Sequence, residues 1–157
     1  MIYITLGTSP YPFPRLLQEV DIILEKIRSK EKVIAQIGCT QYTFKYKNVK
    51  TYSEIPFDQN IRYVQKARLV ICHAGCGTIM QCIFVSKKIP FVVAREKKYR
   101  EHIDDHQKYF ARYMKKNNSI ETEDLIKYIR FPKDTQKTGA SHQEIVRNLK
   151  KFIASFP

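Results

Sequence analysis

In 157 residues the chain carries 28 Lys and Arg against 15 Asp and Glu, a net charge of +13 with a pI near 9.6. With 43% hydrophobic and 12% aromatic residues, a chain of single-domain length can bury a core, which excludes wholesale disorder. Every apolar run is broken by charge well short of a membrane span, and Met1 to Gly7 lacks the basic start and long apolar region of a signal peptide, so the expected location is the cytoplasm.

Short apolar runs alternate with helix-like segments. Ile2 to Leu6 reads as a strand ending at Gly7, and after a Pro-rich turn Leu16, Leu17, Val20, Ile23, Leu24 and Ile27 recur at helical spacing. Val33 to Ile37 is a second strand, followed by a hydrophilic stretch from Thr40 to Asn48 and a strand around Val49 to Tyr52. Asp58 to Lys66 suits a short helix, Leu69 to Cys72 a strand, Gly75 to Val85 a helix and Ile89 to Ala94 a strand. A helical pattern over Glu101 to Lys116 and a short helix around Leu125 to Ile129 follow.

This order predicts an α/β, Rossmann-like, doubly wound domain with a mainly parallel sheet over 1–130. Residues 131–140 read as a linker, and residues 141–157 as a C-terminal docking helix. That helix opens on the capping box Ser141 to Glu144 and carries Ile145, Leu149, Phe152 and Phe156 as an apolar stripe. Ligands in such sheets sit beyond the carboxyl ends of the strands, which directs attention to the residues just after each run.

Cys39, Cys72, Cys76 and Cys82 form no C-x-x-C pair and match no zinc spacing, so neither metal binding nor disulfides are expected; Cys39 and Cys72 end apolar runs, as small core residues do. The excess of positive charge favours an anionic partner: nucleic acid, a phosphorylated ligand or an acidic membrane surface.

Two segments carry chemistry. Leu69 to Thr78 is a strand running into a Gly-rich turn, His73-Ala74-Gly75-Cys76-Gly77-Thr78, that opens a helix. Backbone N–H groups at such a turn can hold a diphosphate, aided by the helix N-terminus, and Thr78 adds a hydroxyl. The turn lacks the third glycine of a dinucleotide fingerprint and the Lys of a P-loop. One βα unit later, Arg100 to Gln107 gathers His102, Asp104, Asp105, His106 and Gln107, side chains suited to sugar hydroxyls. His102 and His106, four apart, could share a helix face and a metal, but no further ligand set is evident.

With Leu6-Gly7-Thr8, these segments resemble the C-terminal, donor-binding half of GT-B glycosyltransferases of family 28, which includes MurG. The nearer likeness is to stand-alone PssE-type exopolysaccharide and capsule subunits and to the small catalytic subunit of the eukaryotic dolichol-linked UDP-GlcNAc transferase. The resemblance covers Met1 to Ile129 and implies a single C-terminal half of a GT-B fold. It implies diphosphate binding by Gly7, Thr8, Gly75, Cys76, Gly77 and Thr78, and uridine binding by Phe57 and Gln81. Gln81 stands where MurG-like enzymes hold the ribose with Glu, a departure that exchanges a charge-assisted hydrogen bond for a neutral one. His73, Asp105, His106 and Gln107 are implied on the donor-sugar side, His73 as a loop-positioning residue.

The implied activity is inverting transfer of a hexose or N-acetylhexosamine from UDP-sugar to a lipid-linked acceptor, with no metal and no other cofactor. The general base and acceptor site lie in the N-terminal half of such enzymes. A membrane-anchored, PssD-type subunit is therefore the expected partner, holding this chain peripherally at the cytoplasmic face of the membrane. The rival readings are a nucleotide-sugar-binding regulatory subunit, suggested by Gln81, and a nucleic-acid-binding protein, suggested by the charge. The basic residues are scattered and no nucleic-acid motif is present, so no nucleic acid is expected.

Overall fold

The computed structural model describes residues 1–87 and 89–116. Five strands, β1 (Ile2–Thr5), β2 (Val33–Gln36), β3 (Val49–Tyr52), β4 (Leu69–His73) and β5 (Phe91–Val93), form a wholly parallel sheet in the order β3-β2-β1-β4-β5. The helices are α1 (Pro14–Lys26), α2 (Phe57–Lys66), α3 (Cys76–Met80) and α4 (His106–Lys116). The Rossmann-like α/β expectation is met. The predicted short helix at Leu125 to Ile129, the linker 131–140 and the helix 141–157 lie outside the described residues.

Through β1, β2 and β4 the sheet is buried on both faces, as parallel sheets are, while edge strand β3 is partly exposed. Ile2, Ile4 and Leu6 join Leu16, Leu17, Val20 and Leu24 of α1 in one core. Tyr3 and Val70, with the opposite parity, pack with Val64 of α2 and with Cys82; Cys72 packs with Ile79, Ile83 and Phe110. The period of two along the strands thus feeds two separate helical layers. Pro14 opens α1, where its missing N–H costs nothing.

Several boundaries differ from the sequence reading. The predicted helix from Gly75 is α-helical only from Cys76 to Met80 and then widens to a π-helical stretch, Gln81–Val85. Ile89, Pro90 and Ala94 fall outside β5. The helix expected from Glu101 begins at His106, because a 3₁₀ turn (Lys97–Tyr99) closes on Arg100 in the left-handed region (φ 58°) and turns the chain away. Cys39 is exposed rather than part of the core, whereas Cys72 and Cys82 are buried.

The hydrophilic stretch 40–48 is also more ordered than its composition suggests. Buried Asp21 on α1 accepts hydrogen bonds from Tyr42 Oη (2.9 Å), Lys45 N (2.8 Å) and Tyr46 N (2.9 Å). Thr40 Oγ1 accepts one from Phe13 N (2.9 Å).

Candidate functional site

The chain reverses direction across the sheet between β1 and β4: from β1 it winds outward through β2 and β3, and β4 begins the other half. A crevice opens at such a switch point beyond the strand ends. The loop after β1 and the turn after β4 meet there through His73. Its ring lies between two glycines. A Cβ on Gly7 would stand 2.6 Å from His73 Cε1, and one on Gly75 2.1 Å from His73 Nε2. Gly7 also has φ +70°, so it is glycine for two reasons.

Burial, followed by the positive charge of Arg95, pushes the His73 imidazole down to about 4. Its Nδ1 faces Thr5 O at 3.5 Å. A neutral, wedged imidazole fixes loop spacing; it is not a cation that would grip phosphate.

Gly77 is different. A Cβ built on it meets nothing within 4 Å, and its φ lies outside the left-handed range. Gly77 and Cys76 are exposed in the first turn of the helix, Thr78 is half-buried beside them, and Thr8 faces solvent across the crevice. Partial desolvation of the Cys76 sulfur raises its thiol, which keeps it uncharged at this turn. Phe57, at the start of α2 beyond β3, is 67% exposed, and Gln81 opens the π-helical stretch half-buried.

The segment after β5 is held by charge. Glu101, buried, accepts from Arg15 Nε (2.9 Å), Arg15 Nη2 (2.8 Å) and Glu96 N (3.0 Å). Arg95, also buried, donates from Nη1 to Tyr11 O (2.6 Å) and Glu101 O (3.1 Å) and from Nη2 to Leu6 O (2.9 Å). Both guanidinium groups lie over the Phe13 ring, at 5.3 Å for Arg15 and 4.9 Å for Arg95. Arg95 therefore ties the loop after β1 to the loop after β5 and brings positive charge beneath the crevice. Arg95 and Glu101 were not singled out as site residues from sequence. Arg95 had one available signal: it directly follows the last apolar run.

Asp105 Oδ1 accepts from Lys97 N (2.8 Å), and the Asp105 carbonyl accepts from Lys108 N (3.0 Å) and Tyr109 N (3.3 Å), so Asp105 caps α4. His106 is exposed at the start of α4. Gln107 is buried, and its Oε1 accepts from Arg95 N (3.3 Å). His102 and His106 do not share a helix face, since His102 precedes α4; their rings meet edge to face at 4.6 Å.

A family model, the glycosyltransferase family 28 C-terminal domain, matches residues 1–151. The chain belongs to this family. The crystal structure of the glycosyltransferase of kitacinnamycin is similar over 98% of this chain, with a TM-score of 0.57 and 14% identity. That likeness shows the fold, a GT-B half. The family 28 domain described here spans 39% of that protein's chain. No curated protein matches it significantly. Among the described residues, no helix is long and apolar enough to cross a membrane.

Proposed function

We propose that this family 28 domain is the donor-binding, catalytic subunit of a two-component, inverting glycosyltransferase. It takes a hexose or N-acetylhexosamine from UDP-sugar and gives it to a lipid-linked acceptor in polysaccharide or glycoconjugate synthesis. Gly77 carries this reading. Glycine in a helix costs about 1 kcal/mol relative to alanine, and neither backbone conformation nor packing requires it here. Close approach of a ligand to the backbone N–H groups of the first turn does require it, and an anion is the ligand those groups favour.

The diphosphate would lie across Gly7, Thr8 and Gly75 to Thr78, with uridine toward Phe57 and Gln81, and the sugar toward His73, Asp105 and His106. Gln107, through its hydrogen bond to Arg95 N, would position that segment. As the acceptor oxygen bonds to the anomeric carbon, the bond from that carbon to the phosphate oxygen breaks. UDP then leaves with added negative charge. Backbone N–H groups and the buried guanidinium of Arg95 stabilise that charge without a metal.

The proton of the acceptor hydroxyl passes to a base supplied by the partner, a membrane-anchored, PssD-type, acceptor-binding subunit. The apolar stripe Ile145, Leu149, Phe152 and Phe156 in the sequence is the segment proposed to meet it. This places the chain at the cytoplasmic face of the membrane, where its net charge of +13 suits anionic lipid. Gln81 favours a second reading, a nucleotide-sugar-binding regulatory subunit.

Reconstitution with a partner subunit, UDP-sugars and lipid acceptors in EDTA tests the proposal. Transfer that needs both subunits and no metal supports it. A strict requirement for Mg²⁺ or Mn²⁺ contradicts it. No transfer from wild type, but transfer from Gln81→Glu, would favour the regulatory reading.

A further inference from the structure

Between the 3₁₀ turn and α4, three side chains converge. Asp104 Oδ1 stands 3.3 Å from His102 Nδ1 and contacts His106 Nδ1, and the ligating atoms of all three residues lie within 4.8 Å of one another. His102 Nδ1 is a buried atom with no hydrogen-bond partner: it is near the carboxylate but badly angled for a hydrogen bond to it. The His102 ring is held in place by Tyr11, at 5.7 Å, and by the edge of His106. Asp104 and His106 are more than half exposed, free to make small rotations.

We infer that His102, Asp104 and His106 form a site for a divalent transition-metal ion of the zinc class, open at its remaining positions. Two imidazoles and a carboxylate suit Zn²⁺, Co²⁺ or Ni²⁺; Mg²⁺ and Ca²⁺ require sets of oxygen ligands. An ion bound there takes the Nδ1 lone pair of His106 and fixes its ring. On the donor-site reading proposed above, on which this consequence rests, the metal draws His106 away from the sugar. The site is inhibitory and has no part in the transfer step.

Titration of the reduced full chain with Co²⁺, followed by visible absorption, tests the assignment. Expected is a single site with the intense bands of low-coordinate cobalt, no thiolate charge-transfer band, displacement by Zn²⁺ and none by Mg²⁺. Asp104→Asn and His102→Gln should each weaken it by at least roughly tenfold, since removing a ligand should cost no less than disturbing an outer partner. UDP titration of the same variants should be unchanged, which also shows that they fold. Absence of cobalt binding, affinity undiminished in both variants, or a thiolate band reporting Cys39 or Cys76 would overturn the inference. UDP binding without cobalt binding removes the metal site alone. Cobalt binding without UDP binding removes the donor-site reading and leaves the metal site standing.

Discussion

Two buried carboxylates organise loops in this protein, and their partners are of different kinds. Asp21 is satisfied by two backbone N–H groups and one phenol, all neutral. Glu101 sits among two guanidinium groups: Arg15 is paired to its carboxylate, while Arg95 is bound to three carbonyls. The first arrangement fixes a chain path and nothing more. The second fixes two loops and leaves a positive charge beneath the proposed diphosphate site. Burying that charge is costly, and a fold gains little stability by it. An anion bound above it is the return.

The comparison can be broken at either end. The largest effect is expected for Glu101→Gln, which takes the carboxylate from Arg15 and the nearby counter-charge from buried Arg95: a loss of about 3–5 kcal/mol in urea unfolding. UDP affinity should fall as well, because the loop after β5 loses the carboxylate that joins Arg15 to Glu96 N. Next is acid. His73 resists protonation in the fold, at about 4, but titrates normally when unfolded. The unfolded chain therefore binds more protons as pH falls below the ordinary histidine value. The stability from this group is full above that value and is lost on going down towards pH 4, about 3 kcal/mol in all. Denaturant midpoints measured across that window should show the loss, and His73→Gln should flatten it.

Asp21→Ala leaves three donors without their acceptor and should cost about 1–3 kcal/mol. Unlike Glu101→Gln, it should leave UDP affinity within error. A loss of affinity there would erase the distinction between the two carboxylates. The smallest effect on stability belongs to Gly77→Ala, expected to be neutral or stabilising by up to about 1 kcal/mol.

Much of the sheet was legible because buried parallel strands are short apolar runs, and Ile2, Val33, Leu69 and Phe91 each begin or sit within one. The Gly-rich turn after β4 and Gly7 after β1 were legible for the same reason, as each directly follows a strand. The network around Arg95 was not, because a buried guanidinium bound to backbone carbonyls leaves no spacing pattern. Asp21 did leave a sign that was not used: an acid on the apolar face of α1, beside Val20 and Leu24. The start of α4 was misplaced because Glu101 and Asp104 look like first-turn acids, whereas the turn at Arg100 and the cap at Asp105 decide it. Nothing in the residues Gln81 to Val85 announced the π-helical widening.

The most direct test of the central claim is calorimetric titration of wild type and Gly77→Ala with UDP in EDTA, with GDP as the control. The account predicts metal-free, UDP-selective binding by wild type. It also predicts affinity reduced by roughly tenfold or more in Gly77→Ala, equal to about 1.4 kcal/mol, with the fold no less stable. UDP binding equally tight in both proteins, or no preference for UDP over GDP in wild type, would contradict it.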